Sequence, residues 1–385
     1  MSEDDLPEPD RCEGAPHPRE TARLVGQSAA EAAFLAASAS GRVHSGWLLT
    51  GPSGIGKATL AYRIAAFLLA GGDRAGGMFG PPETLDLPPG DPDLRQVRAG
   101  SHPRLFVLRR TVNADARPPR LRTQIVVEDA RDLRRFFGLS ATDGGRRVVI
   151  VDAADELNTA SANAILKLLE EPPAGATLLL VAHQPSRLLP TIRSRCRTLP
   201  LAPLSAADLG TALDTALDAA LDTTPGGAGI AADAPEALAA LAGGSVGAAV
   251  RLLRSDGLAL YARIVTLLDG LPRLDRTALI ALADSAAGRD AQTQFDMIVD
   301  LTGLFLSRAA RAGLMGAPPV QGAPGEARLL TRLAPHDQAA QVWAALVQTL
   351  GARLRQGRAV NLDPAALILD SFLTIEATAR TVASR

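Results

Sequence analysis

The stretch Trp47-Leu48-Leu49-Thr50-Gly51-Pro52-Ser53-Gly54-Ile55-Gly56-Lys57-Ala58, followed by an alanine- and leucine-rich run to Leu69, decides the fold. A short apolar run ends in a glycine-rich turn, and a helical pattern begins directly after it. Gly51, four residues, Gly56 and Lys57 have the spacing of a phosphate-binding P-loop. Gly51, Gly54 and Gly56 permit backbone turns that aim successive N–H groups inward, and the helix start favours negative charge. Lys57 would reach the outer phosphates. A chance glycine-rich turn has the same letters, but a strand before the loop and a helix after it are the context a phosphate loop requires.

The loop lacks one part. The residue after the lysine should be Ser or Thr, whose hydroxyl ligates magnesium, and here it is Ala58. Thr59 is displaced by about 100° around the helix, so its hydroxyl points elsewhere. The second nucleotide element should be an aliphatic strand ending in Asp and then Glu. Val148-Val149-Ile150-Val151-Asp152 supplies the strand and Asp152, but Ala153 and Ala154 stand where a general base belongs. Asp155 and Glu156 lie past the strand end and read as first-turn acids near the helix that follows. Weak phosphate binding through the loop amides and Lys57 remains open. No cofactor is required, and Gly51, Gly54, Gly56, Lys57 and Asp152 read as a vestigial nucleotide site with weak or no ATP binding.

Outward from the loop, strands alternate with helices. Leu105 to Leu108, Ile125 to Val127, Val148 to Val151 and Thr177 to Val181 are strand candidates, and a helix from Thr159 to Glu171 stops at Pro172-Pro173. Alternation of this kind implies an α/β domain with a parallel sheet covered on both faces. Residues 1–18, rich in charge and proline, are expected to form a disordered tail. The sheet domain is expected over 19–201, with Gly71 to Pro92 an irregular excursion. A small helical lid follows over 202–256, with Ser205 and Asp233 marking helix starts, Thr223 to Ala232 a flexible insertion and Ser245 capping a third helix. An all-α domain interrupted by a loop at Gly316 to Gly325 completes the chain over 257–385. Arginines crowd residues 109–147; a DNA-facing patch is one reading, and solvated faces are favoured because Glu128, Asp129, Asp132 and Asp143 are interspersed.

At 385 residues the chain needs more than one core. Its net charge of −1 gives no electrostatic reason for the whole chain to coat DNA. With 47% hydrophobic and 21% charged residues it has the composition of a soluble protein. No apolar run of transmembrane length occurs, and the acidic start is unlike a signal peptide, so a cytoplasmic location without membrane contact is expected. Cys12 and Cys196 are the only cysteines, which excludes a disulfide framework and a four-cysteine metal site.

Several motifs in order resemble the AAA+ clamp-loader subunits of bacterial DNA polymerase III, and among them the delta-prime branch, related to gamma/tau. Leu24-Val25-Gly26-Gln27 is similar to the adenine-side segment of that family, and Ser101-His102-Pro103 leads into its second strand. Ser161-Ala162-Asn163-Ala164-Ile165-Leu166-Lys167-Leu168-Leu169-Glu170-Glu171-Pro172-Pro173 resembles its characteristic helix, and Ser194-Arg195-Cys196 its SRC motif. The resemblance implies an AAA+ P-loop domain, a small helical lid and an all-α collar. It also implies that Arg195 acts as an arginine finger in a neighbouring subunit's ATP site. The residues alone favour a surface arginine, in a run with Arg193 and Arg197, paired with a nearby acid; the flanking motif is what favours the finger. Cys196 reads as a small packed residue rather than a nucleophile.

Two departures from the family bear on activity. Gly71 to Gly100 holds no cysteine, whereas the family often carries a zinc-binding cluster there, so no metal is expected. Gly244-Ser245-Val246-Gly247 stands where the ATPase members have a Gly-Ser-x-Arg motif; Arg251 lies four residues beyond Gly247 and reads as a solvated helix residue. The resemblance thus implies a non-hydrolysing stator that supports loading of a sliding clamp onto primed DNA. Its partners would be gamma/tau and delta subunits in a pentamer, with the clamp and primed DNA contacted through the complex. The alternative is a catalytically active gamma/tau-type ATPase.

Overall fold

The computed structural model describes residues 8–21, 23–39, 43–72, 82–113, 116, 120–138, 145–221, 234–287 and 291–383. The chain divides into two compact units, Met1–Gly227 with Gly243–Val250, and Ala228–Ala242 with Arg251–Arg385.

In the first unit, α1 (Ser28–Ser38) precedes β1 (Gly46–Thr50), the P-loop and α2 (Lys57–Leu69). Then come α3 (Pro92–Arg98), β2 (Leu105–Arg109), a two-stranded ribbon of β3 (Val112–Asn113) and β4 (Arg120–Leu121), and α4 (Val127–Gly138). The unit continues with β5 (Arg147–Asp152), α5 (Thr159–Glu170), β6 (Ala176–Ala182), α6 (Pro190–Arg193), β7 (Arg197–Pro200) and α7 (Ala206–Leu221). The main sheet is parallel in the order β2-β5-β6-β1-β7. Its central strands are buried on both faces: Val148, Val149, Ile150, Leu178, Leu179 and Leu180 are inaccessible. That is why they read as unbroken aliphatic runs rather than alternating ones. Parallel order brings the strand ends Thr50, Asp152 and Ala182 to one edge, where the P-loop lies.

Local signals explain the elements flanking the site. Asn158 caps α5 through Ser161 N at 2.9 Å, and Ser205 caps α7 by accepting from Asp208 N at 3.1 Å. The strand expected over Ile125 to Val127 does not form. Ile125 makes only an isolated bridge to Leu157, and Asp129 Oδ2 accepts from Val126 N at 3.0 Å, so the chain turns into α4 instead.

Residues 8–18, expected to be a disordered tail, are instead packed on the sheet unit. His17 is fully buried, edge-on to Tyr62 with ring centroids 5.7 Å apart. Asp10 pairs with both His17 and Arg109. Acidic and proline-rich composition was the reason for expecting disorder, but here the acids are matched to cations of the folded core. The insertion expected over Thr223 to Ala232 and the helix start at Asp233 lie outside the described residues, as does 73–81 of the expected excursion.

The second unit contains α8 (Ala234–Ala242), the latter part of α9 (Val246–Arg254), α10 (Gly257–Asp269), α11 (Arg276–Asp284) and α12 (Ala291–Met315), then α13 (Glu326–Leu333), α14 (Asp337–Ala359) and α15 (Pro364–Ala383). Its core holds Phe295, Phe305, Trp343 and Phe372. Glu326, fully buried, accepts from Tyr261 Oη at 2.5 Å, Arg308 Nε at 2.6 Å and Gly322 N at 2.6 Å. A buried carboxylate matched in this way locks α10, α12 and α13 together.

Candidate functional site

The P-loop has the conformation its glycines predict. Gly51, Gly54 and Gly56 have φ of 141°, 76° and 98°, values that side chains disfavour. Space is equally restrictive at Gly56, where a Cβ would lie 2.8 Å from Leu24 Cδ1. Gln27, 3% exposed, donates to Ile55 O at 3.1 Å and Ala202 O at 2.8 Å, tying the Leu24–Gln27 motif to the loop and to the exit of β7.

Lys57 is turned onto its own loop. Its Nζ donates to Gly51 O at 2.7 Å and to Pro52 O. Burial lowers its pKa to about 8, with the charges of Asp152 and Asp155 opposing the shift. Asp152 lies at the end of β5 and is 8% exposed. Desolvation raises its carboxyl to about 7, Asp10 adds to the shift, and Lys57 opposes it. Gly51, Gly54, Gly56, Lys57 and Asp152 are thus brought to one edge of the sheet, while Ala58 offers no hydroxyl.

Asp155 and Glu156 lie past the end of β5 and just before α5, where the sequence places them. They form a 3-10 turn, Ala154–Glu156. Asp155 accepts from His183 N at 3.0 Å and Gln184 N at 3.1 Å, which holds the loop after β6. Glu156 pairs with Arg110 Nε at 2.8 Å. Neither carboxylate is available as a base. The sequence reading missed His183, whose imidazole is held below the usual range by burial and then by the Lys57 charge. Its Nδ1 is buried without a hydrogen-bond partner. Its position one residue past the end of β6 was the available signal.

Two segments cover the loop. Ser245 Oγ donates to Ser53 O at 2.8 Å, and Gly247 N to Gly54 O at 3.2 Å. A Cβ on Gly247 would lie 3.2 Å from Gly54 Cα, and one on Gly54 would lie 2.4 Å from Ser245 Oγ. Two glycines therefore allow backbone to meet backbone. The N-terminal segment reaches the same place: Cys12 Sγ donates to Gly247 O at 3.5 Å. Two residues earlier in that segment, Asp10 is held by Arg109, whose register partner in β5 is Asp152. Burial opposes ionisation of Asp10, but His17 and Arg109 hold its carboxyl below the usual range.

Arg195 sits in the turn between α6 and β7, away from this cluster in sequence. Its Nη2 lies 2.9 Å from Glu170 Oε1, and its Nη1 donates to Thr191 O at 3.1 Å. Pairing with an acid is what the surface-arginine reading anticipates, and it is equally compatible with a residue waiting for another anion. Cys196 beside it is half-buried; desolvation pushes its thiol up to about 12, which makes it a poor nucleophile. In the 109–147 stretch, Arg109 pairs with Glu8 and Asp10, and Arg147 donates to Phe137 O at 2.8 Å.

Known proteins resemble this chain over the region of the loop. The family described as DNA polymerase III, delta subunit, matches residues 26–205. The DNA polymerase III subunit delta' of Pseudomonas aeruginosa is 38% identical over 262 residues, 66% of this chain and 70% of that protein. That of Escherichia coli K12 is 32% identical over 170 residues, 44% of this chain and 46% of that protein. The Thermotoga maritima RuvB Holliday junction branch migration motor aligns over 77% of this chain and 80% of its own, with 16% identity and a TM-score of 0.39. The identity to the Pseudomonas protein, over most of the length of both, is decisive: the chain belongs to the family of DNA polymerase III delta-prime subunits.

Proposed function

We propose that this chain is a non-hydrolysing stator of a clamp loader, which lends Arg195 to the ATP site of a neighbouring subunit. The observation that carries the first half is the seating of Gly247 on Gly54, at the place where the ATPase members carry a lid arginine. The residues around the loop do not fit a magnesium–nucleotide. Ala58 has no oxygen for the metal, Lys57 is engaged with loop carbonyls, and Asp152 resists ionisation. No hydrolytic step is assigned to this site.

Arg195 is the residue that remains for chemistry. Its guanidinium is permanently charged and forks onto phosphate oxygens, which stabilises charge developing on a transferred phosphoryl group. The partners proposed are gamma/tau and delta subunits in a pentamer, working in the cytoplasm on a sliding clamp and primed DNA. The helices of 257–385 serve as the oligomerising collar, a role supported by exposed apolar side chains at Ile280, Leu314, Met315 and Leu373.

The isolated chain tests the first half. It should release no phosphate from ATP above a buffer blank, and Lys57→Ala should change nothing. ATP turnover by the purified chain that disappears in Lys57→Ala would sink the stator reading and favour a gamma/tau-type ATPase.

A further inference from the structure

Glu170 stands at an electrostatically unfavourable place. It is the last residue of α5, and Glu171 is the C-cap. A helix C-terminus carries partial negative charge, so cations are stabilising there and acids are not. The contact that Glu170 makes is with Arg195, at 2.9 Å, and the two side chains stay 41% and 38% exposed. Exposed ion pairs add little to stability, so the fold gains little from this one.

What the pair does is fix a guanidinium. Glu170 holds Nη2 and the Thr191 carbonyl holds Nη1, which together set its position and plane. The backbone beneath is also fixed: Arg195 N donates to Ile192 O at 3.1 Å, and a Cβ at Gly46 would lie 3.3 Å from Arg195 O. An arginine has five N–H donors. One is used in the hydrogen bond to Thr191 O, Nη2 faces Glu170 as an ion pair, and the remaining donors are left for a second anion.

We propose that Glu170 is a positioning residue for Arg195, holding its guanidinium ready for a phosphate of the adjoining subunit's nucleotide. This rests on the finger role of Arg195 proposed above. An unrestrained arginine loses rotamer freedom when a phosphate captures it, and that loss falls on the transition state if the contact tightens there. Glu170 imposes the loss beforehand. Its removal therefore acts on turnover rather than on ATP affinity, and only while Arg195 is present.

The test is steady-state ATPase of the full complex in which the site bordering this chain is the sole hydrolytic site left intact, assembled with wild-type chain, Glu170→Gln, Glu170→Asp, Arg195→Ala, or Glu170→Gln with Arg195→Ala. Assembly is checked by mass photometry. Glu170→Gln is expected to lower kcat about 3- to 10-fold with KM for ATP within about twofold, and Glu170→Asp to recover most of the rate. The double variant should match Arg195→Ala alone. A normal or raised rate in Glu170→Gln, or a double variant slower than Arg195→Ala by the full Glu170→Gln factor, overturns the positioning role. A normal rate in Arg195→Ala overturns the finger reading and this inference together, so the two failures are distinguishable.

Discussion

Replacing Asp152 by asparagine should stabilise the first unit near neutral pH and leave it little changed in mild acid. Asp152 is 8% exposed, and its carboxyl is raised from 3.8 to about 7, by desolvation first and the Asp10 charge next. A carboxyl with a higher pKa in the folded chain binds its proton more tightly there. The folded state is therefore favoured below the unfolded value of 3.8, and that advantage is lost as pH rises through about 7. At 1.36 kcal/mol per unit, the ionised group costs about 4 kcal/mol near pH 7.5 and less than about 2 kcal/mol near pH 5. Asparagine keeps the size and removes the charge, while its buried amide costs about 1–2 kcal/mol at either pH. That offset cancels in the comparison, leaving a stabilisation about 2–3 kcal/mol larger near pH 7.5 than near pH 5. Lys57, lowered to about 8, acts in the opposite sense and at higher pH, with stability regained as pH rises from about 8 towards 10.5. The assay is urea unfolding in a Trp343→Phe background, where buried Trp47 is the one remaining tryptophan and reports the first unit. A Asp152→Asn effect that is equal at the two pH values, or destabilising near pH 7.5, would refute the view of Asp152 as a buried, unused acid.

Restoring the lid arginine with Gly247→Arg should not restore nucleotide binding. Its Cβ would press on Gly54 Cα at 3.2 Å, so a loss of about 1–2 kcal/mol is expected in the Trp47 unfolding assay, with no gain in titration by a fluorescent ATP analogue. Glu326→Ala should destabilise the second unit by about 3–5 kcal/mol, because Arg308 stays buried without its carboxylate. Unfolding followed by Trp343 in a Trp47→Phe background measures it, and a change under about 1 kcal/mol would contradict the matched buried network.

The parts of the site that are contiguous in sequence were legible there. Gly51, Gly54, Gly56 and Lys57 set their own backbone path, and the unbroken aliphatic run before Asp152 already implied a strand buried on both faces. Ala58 and Ala153 were readable as losses because a missing hydroxyl or carboxylate needs no folding to be noticed. Contacts between distant residues were not legible. Asp10 meets Arg109 across 99 positions, and Ser245 meets Ser53 across 192. Charge and proline at the chain start look the same whether the segment is free or matched to cations of the sheet unit. The partners of Asp155 were hidden for a related reason. Its role depends on the amides of His183 and Gln184, which the parallel register of β5 and β6 brings alongside. Ile125 was misread because one hydrogen bond, donated by Val126 N to the Asp129 carboxylate, outweighs the β-branched pattern.

The most direct measurement uses a complex in which the neighbouring ATPase site bordering this chain is the sole hydrolytic site left intact. Single-turnover ATP hydrolysis is then compared for wild-type chain and Arg195→Ala. An arginine finger is worth about 10³–10⁵ in rate, so hydrolysis should fall by about a thousandfold with the complex still assembled. An unchanged rate would contradict the claim that this chain's remaining chemistry lies in Arg195.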